Sequence, residues 1–277
     1  MEVRVHPSAD EFRGIAEPLY RHDPVAHTIE LTFLAAAALP ADTFLMSVWD
    51  DGTPVGAALQ TPSYPLACNG IPVNAIVPVV TELAGLRPDL SGVRGGRGSA
   101  LAFADAWHFI TGHETSIGTE ERLYRMGTLR APNGVAGQPR DAADEDRDLL
   151  ALWVGLFFED AFGDAHNDRG EEFVDSATRS GHRFVLWEVD DDPVSMAMLR
   201  IPAADVSRIG PVFTPRDQRG HGYGSAVTAA AVELAHLRGT RDVVLFADLA
   251  NPTSNGIYQR IGFEPVCDSV RVDFRVP

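Results

Sequence analysis

The residues best suited to chemistry lie between Val212 and Ser225. The run reads Val212-Phe213-Thr214-Pro215-Arg216-Asp217-Gln218-Arg219-Gly220-His221-Gly222-Tyr223-Gly224-Ser225, and an alanine-rich stretch follows. An apolar strand ends at a proline, a polar turn follows, and Arg-Gly-x-Gly-x-Gly opens a helix. The first N–H groups of a helix have no intrahelical partner and sit at the positive end of its dipole, so such a turn attracts anions. Glycines let the backbone take positive φ and approach a pyrophosphate closely. The pattern therefore implies a phosphate-bearing ligand. The N–H groups of Gly220, His221, Gly222, Tyr223, Gly224 and Ser225 would hold it, and Arg219 would add charge.

Two familiar phosphate loops do not fit. A P-loop needs Lys-Ser/Thr after its last glycine, and here Gly224 is followed by Ser225-Ala226. The dinucleotide fingerprint needs a third Gly or Ala, where this chain has Ser225 or Val227, although Asp248 could imitate its ribose-binding acid. Arg219, Gly222 and Gly224 fit Arg-x-x-Gly-x-Gly instead. A second block, Asn251-Pro252-Thr253-Ser254-Asn255-Gly256-Ile257-Tyr258-Gln259-Arg260-Ile261-Gly262-Phe263, reads Asn-Pro-x-x-x-x-x-Tyr-x-x-x-Gly-Phe. With both blocks in this order, the sequence resembles the GNAT N-acetyltransferase superfamily from about Gln138 to the C-terminus.

The resemblance implies an α/β fold with a mixed sheet and acetyl-CoA as cosubstrate. It implies that the strand before the loop splays from its neighbour, so that Val212, Phe213 and Thr214 offer backbone groups to the pantetheine arm. A backbone N–H of Val212 or Phe213 would polarise the thioester carbonyl. Tyr258 stands where the family's general acid stands. Asn251 and Ser254 start the same helix and would bond the pantetheine or adenine side, although Asn251 also suits a simple N-cap. An amine with a pKa near ~10 is protonated at neutral pH, so a base is needed as well. Glu188, at the end of an apolar strand, is the first candidate; Glu159 and Asp160 at a helix end are others, and water is a further one. Trp153, Phe157, Phe158 and Trp187 suit an acceptor pocket or, better, core packing. No cysteine or serine constellation suggests a covalent intermediate, so direct attack in a ternary complex is expected.

The elements that must position these groups can be read in outline. Asp144 suits an N-cap, and Leu149, Leu150, Trp153, Leu156 and Phe157 recur at helical spacing after it. A polar loop spans Gly163–Gly170, and Phe173 and Val174 mark a second helix. Phe184–Val189 and Val194–Ile201 form a hairpin around Asp190–Pro193, and Arg208–Phe213 feeds the glycine loop. Val243-Val244-Leu245-Phe246 is continuously apolar and should be a central parallel strand; Val270–Val276 alternates as a last strand. The N-terminal half is fainter: a strand at Val3–His6, a hairpin of Phe44–Trp49 and Pro54–Gln60, a helix at Ser99–Phe109 and a strand at Leu123–Leu129. Its order echoes the C-terminal half. The expected organisation is a degenerate GNAT-like domain over residues 1–130, a linker over 131–139 and the catalytic domain over 140–277, a tandem layout that resembles mycothiol synthases without any motif carrying over a substrate. Gly92–Ser99 is glycine-rich but out of pattern, and reads as a flexible loop before a helix.

Composition narrows the partners. The net charge is −16, from 23 Lys+Arg against 39 Asp+Glu, which argues against nucleic acid; it serves solubility in the simpler reading, and it also suits a cationic acceptor, the amine of a small molecule or peptide. No apolar run approaches a membrane span, and the start has no signal-peptide h-region. Two cysteines, Cys68 and Cys267, fit a reducing cytoplasm, and no zinc spacing is present, so no metal is expected. A homodimer is compatible with the sequence. The rival readings are a CoA-binding sensor without turnover and a nicotinamide-dependent oxidoreductase using the Gly-x-Gly turn. Acceptor choice should lie in loops such as Ala161–Gly170, which one sequence does not decode.

Overall fold

The computed structural model of the chain describes residues 1–36, 39–62, 64–163 and 168–276. Its elements are β1 (Glu2–Val5), α1 (Ala9–Tyr20), α2 (Thr28–Ala35), β2 (Phe44–Asp50), β3 (Thr53–Gln60), β4 (Leu66–Ala67), α3 (Ile76–Leu86), β5 (Gly92–Gly96), α4 (Arg97–Thr111) and β6 (Glu114–Met126). They continue with β7 (Gln138–Asp141), α5 (Arg147–Phe162), α6 (Asp168–Arg179), β8 (Arg183–Val189), β9 (Asp192–Leu199), β10 (Val206–Phe213), α7 (Tyr223–Leu237), β11 (Asp242–Asp248), α8 (Pro252–Arg260) and β12 (Phe263–Arg275). The order β-α-α-β-β-β-α-β-α-β thus occurs twice, the first run ending at β6 and the second at β12.

The chain divides into two compact units that do not simply follow one another in sequence. Unit 1 holds Met1–Leu123, Ala247–Ala250 and Val266–Pro277; unit 2 holds Tyr124–Phe246 and Asn251–Pro265. In unit 1 the sheet runs β1–β2–β3–β4–β5–β12. Its core gathers Met46, Val48, Leu66, Val79, Leu83 and Val93 with Phe103 and Trp107 of α4, and the last strand adds Val270, Val272 and Phe274. Trp107 stacks on Phe274 at 5.3 Å between centroids.

Of the stretch read as a flexible loop, Gly92–Ser99, residues Gly92–Gly96 are instead a strand with a partner on each side, and Arg97–Ser99 begin α4. Val93 and Arg94 lie opposite Leu66 and Ala67 of β4 in parallel, and Gly92 to Gly96 lie opposite Asp273 to Ser269 of β12 in antiparallel. Its glycines reflect crowding rather than freedom. A Cβ on Gly95 would stand 2.6 Å from Cys68 Sγ, and one on Gly92 would stand 2.4 Å from Val272 O. The last strand therefore pairs with residues about 175 positions upstream, within the N-terminal unit.

In unit 2 the order is β11–β10–β9–β8–β7. The β8–β9 hairpin turns through Asp190 and Asp191, both at positive φ (52° and 69°), the backbone that a two-residue hairpin of matching twist requires. Gln138–Pro139, expected at the end of the linker, open the edge strand β7, with Gln138 opposite Glu188. Leu150, Trp153 and Val154 of α5 and Val174 and Ala177 of α6 cover one face of this sheet with Leu186, Met196, Met198 and Phe213. β10 and β11 run parallel, and Val243, Val244 and Leu245 are fully buried.

Candidate functional site

Unit 2 builds its candidate site where β10 parts from β11. The parallel register runs from Val206 opposite Asp242 to Ile209 opposite Leu245 and ends there. β10 goes on to Phe213 beside β9, with Val212 opposite Ala197 and Phe213 opposite Met196. Val212, Phe213 and Thr214 thus lie on the free-running end of the strand. Phe213 itself is buried against Trp153, 6.2 Å between centroids.

A hydroxyl pair fixes this end. Ser195 of β9 is fully buried, and its hydroxyl donates to Phe213 O at 3.0 Å. That uses its single proton, so at the 2.9 Å contact with Thr214 it is Thr214 that donates. Thr214 Oγ1 then turns only lone pairs toward the loop, where a Cβ on Gly224 would come within 3.3 Å of it. Ser195 carries no signal in the sequence; it is one more residue of an alternating strand.

Beyond Pro215 the chain makes a single 3₁₀ turn, Arg216–Gln218, and enters α7 through two glycines in the left-handed region, Gly220 and Gly222, each at φ 87°. Gly222 is the N-cap, with no side chain to bond the helix end. The first helical bond is Ala226 N to Gly222 O, so the N–H groups of Tyr223, Gly224 and Ser225 come before the ladder begins. His221 stacks on Tyr223 at 5.4 Å. Arg219 donates to Thr214 O at 3.0 Å and to Asp160 at 2.7 Å, and Arg216 donates to the other oxygen of Asp160 at 2.6 Å. The Arg216 and Arg219 guanidiniums hold the Asp160 carboxyl below its usual range, which makes it a poor base.

The second block forms α8. Asn251 is its N-cap, with Oδ1 accepting from Ser254 N at 3.0 Å, and Pro252 sits at the first helical position. Oδ1 of Asn251 thereby serves the cap. Tyr258 is buried with its ring edge on Phe263, 6.0 Å between centroids, and burial raises its hydroxyl to about 12. Asn255 and Gln259 of the same helix bond the hydroxyl of Tyr124, at 2.8 Å and 3.1 Å. Sequence reasoning passed over Tyr124, which lies more than 120 residues from α8.

Glu188 is engaged. Arg140 of β7 donates through Nε to Glu188 and through Nη1 and Nη2 to both oxygens of Asp146, the latter at 2.5 and 2.8 Å. Asp146 in turn accepts from Ala143 N at 2.7 Å. Side-chain exposures of 13% for Glu188 and 8% for Asp146 mean that Arg140 neutralises two nearly buried carboxylates. The Arg140 guanidinium thus engages Oε1 of Glu188 and sets a positive charge beside the carboxylate. Trp187 is tied to the connecting segment, donating to Ala136 O at 2.8 Å, and Trp153, Phe157 and Phe158 pack in or against the core. Residues 164–167 of the loop expected to choose the acceptor lie outside the described residues.

The equivalent place in unit 1 is built differently. After β4, Cys68 N still donates to Arg94 O at 2.9 Å, and Asn69 Oδ1 takes the N–H of Gly96 at 2.6 Å while its Nδ2 donates to Ala26 O. Asn69 thereby holds the ends of β4 and β5 together, and the following turn, Cys68–Pro72, has a single glycine.

Among the described residues, no helix is long and apolar enough to cross a membrane, and no group of three or more His, Cys, Asp or Glu is gathered as metal ligands would be.

Comparison with known proteins agrees with this architecture. Residues 148–263 match the acetyltransferase (GNAT) family. An uncharacterised N-acetyltransferase of Methanocaldococcus jannaschii is 33% identical over 87 residues, which cover 29% of this chain and 38% of that one. A mycothiol acetyltransferase of Beutenbergia cavernae is 28% identical over 97 residues, 34% of this chain and 32% of that one. The chain thus spans well under half the length of either relative. The solved structure of a tandem GNAT protein from the clavulanic acid biosynthesis pathway superposes with a TM-score of 0.58 at 17% identity, over 99% of this chain and 98% of that one. Residues 148–263 thus carry a segment of the acetyltransferase (GNAT) family, and the chain as a whole has the fold of a tandem GNAT protein.

Proposed function

We propose that the chain is an acetyl-CoA-dependent N-acetyltransferase that acts on a small-molecule amine through unit 2. The observation that carries the reading is the fork at Ile209: β10 leaves β11 there and runs into two left-handed glycines at an uncapped helix N-terminus. Such a fork fits a pantetheine arm, and the turn fits a pyrophosphate. Bound there, acetyl-CoA supplies an activated acetyl thioester.

The residues of the chain do the rest. The N–H groups from Gly220 to Ser225 hold the phosphates, with Arg219 beside them. Val212, Phe213 and Thr214 line the arm, and a backbone N–H of Val212 or Phe213 donates to the carbonyl oxygen as it gains charge. The amine nitrogen forms its bond to the acetyl carbon, and the carbon–sulfur bond breaks. Tyr258 donates to the departing sulfur. The amine proton passes to solvent, because Glu188 and Asp160 are both held by arginines. An acidic surface favours a cationic acceptor, and unit 1, with Asn69 closing its fork, takes no donor.

Calorimetric titration with acetyl-CoA tests the reading, with NADH as control. The expected result is one site per chain, lost in Gly222→Glu. Two sites would overturn the claim about unit 1. Silence with acetyl-CoA together with a clean NADH isotherm would overturn the acetyltransferase reading.

A further inference from the structure

We propose that Tyr124 is a positioning residue for Tyr258, so that the catalytic unit depends on a strand lying upstream of its own family segment. The inference rests on the reading of Tyr258 as the group that donates to the leaving sulfur.

α8 has only nine residues, too few to be stable alone, so its orientation must come from tertiary contacts. The contacts converge on one buried phenol. Asn255 Nδ2 donates to Asn251 O at 2.7 Å, which leaves Asn255 Oδ1 to accept from the Tyr124 hydroxyl at 2.8 Å. Gln259 Nε2 can only donate, and it does so to the same hydroxyl at 3.1 Å. The phenol therefore gives its proton to one residue and takes one from another a full turn further on. Residues four apart share a helix face, so the pair fixes the rotation of α8 about its axis. Tyr258 is adjacent to Gln259 and three residues from Asn255, within the clamped turn. A rotation of about 10° would move a group roughly 6 Å from the axis by about 1 Å, a displacement that can cost about a hundredfold in rate.

The rest of this strand end is fastened to the same place. Gly127 N donates to Gly262 O at 3.0 Å, and Arg130 N donates to Ile261 O at 2.9 Å. Gly262, the glycine of the Tyr-x-x-x-Gly-Phe block, has φ 109°, and a Cβ there would stand 2.0 Å from Thr128 O. That glycine is required because the backbone of Thr128 and Leu129 passes directly over it. Tyr124 is itself fully buried. None of these upstream residues lies within the family-matched segment 148–263.

The test is a double-mutant cycle on release of CoA thiol from acetyl-CoA, with water as the acceptor. Tyr124→Phe should lower kcat three- to tenfold, leave KM for acetyl-CoA within twofold, and cost nothing further in a Tyr258→Phe background. A structural role without positioning would cost the same in both backgrounds, and that result, or full turnover in Tyr124→Phe while Tyr258→Phe is slow, would overturn this inference alone. Undiminished turnover in Tyr258→Phe would instead overturn the reading on which it rests. Gln259→Ala, at an exposed position, removes half of the clamp and gives the same readout if Tyr124→Phe does not fold.

Discussion

Replacing Tyr258 by Phe should slow acetyl transfer by roughly 10- to 150-fold, far less than the loss of a strong general acid. The magnitude follows from where the hydroxyl sits. Burial raises it to about 12, whereas an alkyl thiol ionises near ~8.5. Full proton transfer to the leaving thiolate is therefore uphill by about 3.5 units, or about 5 kcal/mol. In the proposed mechanism Tyr258 donates a hydrogen bond to a sulfur that is gaining charge, and a hydrogen bond to a charged group is worth about 1.5–3 kcal/mol. That range corresponds to the stated loss. The assay is steady-state release of CoA thiol across pH, for the unsubstituted chain and Tyr258→Phe. The lost factor should appear in kcat, with KM for acetyl-CoA nearly unchanged. Because the hydroxyl ionises at about 12, it should produce no alkaline limb below about pH 11. An alkaline limb between pH 8 and 10 that disappears in Tyr258→Phe would refute the reasoning, as would a loss smaller than about threefold.

Three further outcomes are expected. Glu188→Gln should keep turnover within about threefold, whereas Arg140→Met should lower stability by about 2–4 kcal/mol in denaturant titration, since it strands two nearly buried carboxylates; a large catalytic loss in Glu188→Gln with unchanged stability would restore it as the base. His182 is held down to about 4 by burial and then by Arg200 and Arg208, and its Nδ1 accepts from Ile201 N. A histidine with a lowered folded pKa gives stability that is complete above pH 6.5 and lost as pH falls toward 4; after discounting for its partial exposure this is about 1–2 kcal/mol, and His182→Asn should flatten unfolding free energy against pH over that window. Finally, direct transfer predicts no acyl-enzyme: the chain contains no lysine, so intact mass after incubation with acetyl-CoA alone should show no added acetyl group except at the N-terminal amine.

Features governed by a few consecutive residues were legible in the sequence. Gly220 and Gly222 had to be glycines because the backbone enters α7 at positive φ, and Asn251-Pro252 announces a helix start by its capping chemistry. The β8–β9 hairpin, the apolar β11 and the helical spacing of α5 are of the same kind, since each is a requirement of neighbouring backbone on neighbouring side chains. What needed the tertiary structure involves partners far apart in the chain. The glycines of β5 looked like a loop because their cause, the close approach of Cys68 and Val272, lies elsewhere. The destination of β12, the commitment of Glu188 to Arg140 and the grip of Tyr124 on α8 leave no local trace either. A strand's period of two states that it has a partner but not which one, and a buried tyrosine or glutamate reads the same whether it faces a substrate or an arginine. Local backbone demands thus wrote the glycine loop into the sequence, while long-range pairing alone decided which side chains remain available to do chemistry beside it.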